Sequence, residues 1–128
     1  MFFYNIKKFP SKSLYNVQIY KNGLDFGKLN FNVNVCQKYA MLNSIEIMNQ
    51  KDKGVGNGSY FLKQYESYVK NMYYVNESSL VAWQPVGCTN VVNFFKKHGY
   101  LEKDPLSKKE TYDDGVMTYD LYKMYKKM

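Results

Sequence analysis

The chain is poor in the side chains that build metal centres and disulfide frameworks. Its 128 residues hold two widely separated cysteines, Cys36 and Cys88, and one histidine, His98. Without CxxC spacing or a histidine cluster, a tetrahedral zinc site cannot be assembled. A Ser-His-Asp or Cys-His arrangement would have to enlist His98. Long apolar runs are missing too. A membrane-spanning helix needs about eighteen consecutive apolar residues, and no such run occurs. The opening Met1-Phe2-Phe3-Tyr4-Asn5-Ile6-Lys7-Lys8 lacks the basic start and long apolar core of a signal peptide. These absences read as an intracellular, cytoplasmic protein with reduced thiols, no metal and no membrane partner.

What is present is aromatic and basic. Tyr, Phe and Trp make up 18% of the chain, and 14 of those residues are Tyr, which packs like Phe but keeps a polar tip. A mean hydropathy of −0.53 is therefore compatible with a proper core. At this length the expectation is one domain, residues 1–128. The net charge of +7 implies attraction to something acidic: nucleic acid, an acidic protein or a polyphosphate cofactor. Lys123, Lys126 and Lys127 read as a frayed, solvated tail.

Strand patterns dominate the first half. Leu14 to Tyr20 alternates and is followed by Asn22-Gly23, a hairpin signal. Leu29 to Val35 alternates strictly, apolar at odd positions and asparagine at even ones, as a half-buried antiparallel strand does. Ala40 to Met48 reads as a more buried strand. From Ser59 to Met72 the period changes, with Leu62, Tyr65, Val69 and Met72 at helical spacing. Ser79 to Trp83 reads as a short buried strand stopped by Pro85 and Gly87. A helix opened by Cys88 or Thr89 then ends at Gly99, where a left-handed turn suits glycine. Residues 102–115 look like polar loop, and Val116 to Tyr122 like a last strand. The order β-β-β-loop-α-β-α-β predicts an α/β layered fold with antiparallel hairpins first.

The most informative stretch is Lys51-Asp52-Lys53-Gly54-Val55-Gly56-Asn57-Gly58. Three glycines at every second position let the backbone turn tightly with no Cβ to hold a ligand away. A helix opening straight after such a loop points N–H groups at one spot, backed by the positive end of its dipole. That arrangement suits phosphate. It is not a Walker loop, since Gly58-Ser59-Tyr60 lacks the Gly-Lys-Ser/Thr ending. Nor is it a dinucleotide loop, because the third glycine falls one place early.

Lys51 to Gly56 instead resembles motif A of the GNAT superfamily of N-acetyltransferases, Gln/Arg-x-x-Gly-x-Gly/Ala, with Lys51 in place of the usual Arg or Gln. Val91-Val92-Asn93-Phe94-Phe95-Lys96-Lys97-His98-Gly99-Tyr100 is similar to that family's motif B. Together the motifs and the elements between them cover residues from about 40 to 125. The resemblance implies a GNAT-like mixed α/β fold. Its mostly antiparallel sheet would have splayed central strands, and helices would lie on both faces.

It also implies a reaction in which an amine attacks acetyl-coenzyme A directly, without a covalent enzyme intermediate. Backbone from Lys53 to Gly58, with Ser59 opening the helix, would hold the pyrophosphate, and Lys51 or Lys53 could add charge. Backbone of Ile47 and Met48 would pair with the pantetheine arm and present an N–H to the thioester carbonyl. Glu46, the only carboxylate of the preceding strand, is a candidate base with a raised pKa if it faces the cleft, and otherwise a polar strand residue.

Three departures from the family follow. Phe95 stands where relatives carry a tyrosine that protonates the leaving thiolate, so Cys88, Thr89 or Tyr119 are candidates to replace it. Cys88 occupies a frequent asparagine position, and Asn90 lies two residues later. Pro10, Ser11 and Ser13 leave no room for the two helices that usually wall the acceptor site, which implies an open site for a lysine or N-terminus of a macromolecule. The runner-up is a catalytically silent acyl-coenzyme A-binding or regulatory protein. Nucleic-acid binding ranks last for want of a base-reading motif. Edge strands could pair into a homodimer.

Overall fold

A computed structural model describes residues 1–9 and 13–128. Among these residues, eight strands and two α-helices make a mixed α/β fold in which the strand pairing is mostly antiparallel. The chain divides into two compact units, Met1–Ser78 with Met128, and Ser79–Lys127.

The first unit is an antiparallel meander of β1 (Phe2–Phe9), β2 (Leu14–Lys21), β3 (Leu24–Asn34) and β4 (Tyr39–Ile47), followed by α1 (Asn57–Tyr73). The Asn22-Gly23 turn forms as the sequence predicts, with both residues left-handed at φ 53° and 78°. Leu29, Phe31 and Val33 are buried as expected, whereas Val35 lies beyond the strand and is 56% exposed. α1 packs on the apolar face of β3 and β4, burying Phe61, Leu62, Tyr65 and Val69. Each such side chain contributes on the order of 1.5–3 kcal/mol. The Tyr65 ring meets Phe31 at 5.1 Å, and its hydroxyl bonds the Ser78 hydroxyl at 2.9 Å, so this buried polar group is satisfied. Burial pushes the Tyr65 phenol well above its ordinary pKa.

The second unit holds most of β5 (Glu77–Pro85), α2 (Asn90–Lys97), β6 (Leu101–Glu102), β7 (Glu110–Asp113) and β8 (Thr118–Lys127). β8 lies between β5 on one side and β6 on the other, and β7 also pairs with β8. Gly99 takes φ 90° just after α2, the conformation its C-terminal position requires.

Several expectations are corrected. β1 was not legible, because seven of its eight residues are exposed and give no clean alternation. Residues 102–115 contain β7 and part of β6 rather than loop alone. The last strand runs to Lys127, so Lys123, Lys126 and Lys127 are strand residues and not a tail. Met124 between them is fully buried, and Lys126 Nζ lies 5.8 Å from the centre of the Tyr100 ring. α1 begins at Asn57, two residues before Ser59, and Met72 is 59% exposed rather than part of its buried stripe. Trp83 is likewise exposed, while Gln84 takes the buried position. The argument from Pro10 and Ser11 lies outside the described residues. Among the described residues, β1 ends at Phe9 and β2 begins at Leu14.

Candidate functional site

The end of β4 is shaped by a bulge. Leu42 pairs with Phe31 and Ser44 with Asn30, which leaves Asn43 as an extra residue. Ala40 and Leu42 are buried, and without the bulge Ser44 and Glu46 would follow them onto the same face. The extra residue reverses the phase. Ile45 and Ile47 now oppose Leu29 and Gly27, and Glu46 opposes Lys28. The signal was present in the sequence, where the apolar positions jump from 40 and 42 to 45 and 47.

Glu46 thereby joins the polar face of the meander, in an open groove of about 460 Å3 lined by Lys7, Lys28, Asn16, Asn30 and Ser44 among others. Amide side chains brace the surface beside it. Asn30 Nδ2 donates to Asn16 Oδ1, and Asn43 Nδ2 donates to Asn30 and Asn32 at 3.1 and 2.6 Å. The alternating asparagines were visible in the sequence. Their mutual bonds and the flanking Lys7 and Lys28 were not, because they come from four separate strands.

Beyond β4 the chain makes a 3-10 turn, Gln50–Asp52, before α1. Gly54 and Gly56 are both left-handed, at φ 74° and 93°, and a Cβ on either would meet nothing within 4 Å. The glycines are therefore required by conformation, and the space above them is open. Gly56 is the N-cap of α1 and, as a glycine, offers no side chain to cap it; no acidic residue lies in the first turn. The first turn, Asn57 to Ser59, directs its N–H groups out of the helix end, and nothing in it neutralises the positive dipole. Gly58 is itself helical, so two of the three glycines make the turn.

Two expected donors are already used within the protein. The Lys53 N–H donates to Gln50 at 3.2 Å, and the Met48 N–H donates to Phe26 at 2.9 Å. The Asn57 side chain is also engaged, donating to the Asp52 carbonyl at 2.9 Å and tying the helix start to the 3-10 turn. Lys51, Lys53 and Val55 are exposed. All 18 basic side chains of the protein are lysine, so an anion here would meet backbone amides and ammonium point charges rather than guanidinium forks.

In the second unit, Gln84 is the residue that sequence reasoning missed. It is 2% exposed, and its Oε1 accepts from the N–H groups of Val91 and Val92, both at 2.9 Å. Its Nε2 donates to Asn90 Oδ1 at 3.1 Å, which orients the amide. The first turn of α2 is thus capped from within. Asn90 serves that cap. Cys88 is an exposed free thiol in the turn after Pro85, where its N–H bonds the Pro85 carbonyl at 3.0 Å. Phe95 is half-buried, with its ring 5.1 Å from Phe94 and 5.8 Å from Tyr100. Glu46 to Ser59 lie in the first unit and Cys88, Asn90 and Phe95 in the second. Among the described residues, no three His, Cys, Asp or Glu side chains gather as a metal site. No helix there is long and apolar enough to cross a membrane.

No family model matches the sequence, and no curated protein matches it. Solved structures do match. The chain is similar over 91% of its length to the PaiA N-acetyltransferase from Thermoplasma acidophilum in complex with coenzyme A, at 16% identity and a TM-score of 0.65. It spans only 62% of that chain. It is similar over 91% of its length to a GNAT family acetyltransferase from Elizabethkingia anophelis with acetyl-CoA bound, covering 77% of that chain at 14% identity and a TM-score of 0.69. An IAA acetyltransferase from Bacillus cereus ATCC 14579 matches over 100% of both chains, at 10% identity and a TM-score of 0.72. At such identities the likeness is one of fold: the chain has the GNAT acetyltransferase fold.

Proposed function

We propose that the protein is an acetyl-CoA-dependent N-acetyltransferase acting on a primary amine, with a macromolecular acceptor favoured. One observation carries the reading. A loop with two left-handed glycines leads from β4 into a 17-residue helix with a glycine N-cap and no acidic residue in its first turn. On this fold, two of the similar structures hold coenzyme A or acetyl-CoA.

Bound acetyl-CoA would supply an activated acyl group and a thiolate leaving group. The amides of Gly54 to Ser59 bind and orient its diphosphate, with Lys51 and Lys53 adding positive charge. Ile47, at the strand end, aligns the extended arm. Glu46 takes the proton from the attacking ammonium, directly or through water, from its place in the open polar groove. Phe95 has no proton to give, and coenzyme A thiolate is an acceptable leaving group without a tyrosine acid. An open groove beside Glu46, with Lys7 and Lys28 on its walls, suits an amine carried on a large partner better than a small enclosed one.

Calorimetry with acetyl-CoA, followed by a free-thiol release assay with amine acceptors, tests the proposal. Heat on binding and thiol release that depends on the amine are expected. Absence of binding overturns the reading, and binding without release for any amine leaves a silent acyl-CoA-binding protein in its place.

A further inference from the structure

Trp83, the one tryptophan of the chain, is 48% exposed. Its ring lies 5.0 Å from Tyr112 and 5.8 Å from Tyr119. Tyr112 opposes Tyr119 across the β7–β8 ladder and is itself 46% exposed. Three rings of the second unit thus gather at the surface, and core packing does not account for them.

The same face turns basic further along. Tyr119, Leu121 and Lys123 alternate on β8 and so point to one side, as do Val81 and Trp83 on β5. Val81 and Leu121 line a groove of about 270 Å3 together with Lys103, Lys108, Lys109 and Lys123. Its carboxylates are Asp104 and Glu110, so four ammonium groups face two negative charges. Among the described residues the ion pairs are Lys96–Glu102 and Lys109–Glu102. Lys103, Lys108 and Lys123 belong to neither, and all three are exposed. Asp113 and Asp120 directly follow Tyr112 and Tyr119 and therefore lie on the opposite face of the ladder. Asp114 accepts from the Val116 and Met117 amides at 2.9 and 2.7 Å and from the Tyr119 hydroxyl at 3.3 Å, which occupies its carboxylate within the hairpin. Rings and lysines are separated by about 13 Å, the rise of four strand residues from Tyr119 to Lys123.

We propose that this face binds single-stranded nucleic acid, with unpaired bases stacked on the Trp83–Tyr112–Tyr119 rings and backbone phosphates in the lysine groove. Exposed rings beside a positively charged groove are what a strand without base pairing needs, because every base has a face to stack. Sequence readout plays no part, so a base-reading motif is not required. Lysine suits the phosphates as a point charge. The two elements together select the occupant. An acidic peptide would use the lysines and leave the rings idle, and a duplex would hide the faces of its bases inside its own stack. The binding needs no acyl-CoA and stands apart from the acyl-transfer reading.

The single tryptophan makes the test direct. A thymidine oligonucleotide of about twelve nucleotides is added to the whole chain without acyl-CoA. Saturable quenching of tryptophan fluorescence is expected, with shifts in the NMR signals of Trp83 and of residues 103–123. Three phosphate contacts predict an affinity loss of about twenty-fold between 50 and 200 mM salt. Lys123→Gln should lower the slope of log affinity against log salt by about 0.7. Tyr112→Ala, at an exposed site, should weaken binding about five-fold or more with its salt slope and circular dichroism unchanged. No quenching, or NMR shifts confined to other residues, overturns the proposal. So does equally tight binding of a duplex, of inorganic polyphosphate or of an oligoglutamate with the same number of charges.

Discussion

Gly27 and Glu46 meet so closely across the β3–β4 ladder that a Cβ on Gly27 would lie 2.4 Å from the Glu46 carbonyl oxygen. The obstacle is backbone, which cannot swing aside as the end of a long side chain can. Gly27 opposes Ile47, the last residue of β4, just before the chain leaves for the glycine loop.

Gly27→Ala is therefore expected to destabilise the protein by about 1–3 kcal/mol through overpacking. It should also weaken acetyl-CoA binding by displacing the strand end. Denaturant unfolding and calorimetry check both parts. An alanine variant with wild-type midpoint and affinity would show that β4 has slack here.

Gln84 offers a second test, because it satisfies two α2 amides from inside the fold. Gln84→Leu strands those donors and should cost about 1–3 kcal/mol. Gln84→Glu keeps an acceptor near the positive helix end and should cost less, losing mainly the bond to Asn90. Equal losses for the two variants would assign the effect to packing.

Glu102 gives a pH dependence with a defined sign. Its carboxylate is bonded by Lys96 at 3.0 Å and Lys109 at 3.2 Å. The Lys96 bond, ahead of the Lys109 bond, holds the carboxyl below its ordinary value. The unfolded chain then binds the proton more readily, so the stabilisation is full above the unfolded value of 4.5 and is lost as pH falls through the lowered folded one. Wild type should exceed Glu102→Gln in stability at pH 7, and the gap should close as pH falls below 4.5 through the lowered folded value. A gap that persists in acid would contradict the ion-pair origin.

Tyr74 ends α1 in the left-handed region at φ 56° while 76% exposed. A non-glycine residue there is strained and buries little in return. Tyr74→Gly should raise stability by about 0.5–1 kcal/mol, read as a higher unfolding midpoint. A lower midpoint would mean that the tyrosine ring contributes more than its exposure suggests.

For the proposed reaction, Glu46→Gln should lower kcat about 100-fold or more while leaving the KM for acetyl-CoA near that of wild type. An unchanged kcat would place the base elsewhere. A raised KM alone would make Glu46 a binding residue.

Features encoded by near neighbours could be read directly. The Asn22-Gly23 turn, the Leu29-Phe31-Val33 stripe, the Gly99 helix end and the Gly54–Gly56 loop each depend on a few adjacent residues, and each formed where expected. β1 and β7 escaped notice because their residues are exposed and their hydrogen-bond partners lie elsewhere in the chain. The lysines of β8 looked like a tail for the same reason: Lys126 lies over the ring of Tyr100, 26 positions away.

The sequence by itself determined the fold class and the glycine loop, since periodicity and turn chemistry are properties of consecutive residues. Tertiary structure alone decided which face Glu46 occupies, which amides the protein keeps for its own bonds, and that Trp83 lies on the surface. Those outcomes turn on one inserted residue at Asn43 and on ladder register, which are settled only when distant strands pair.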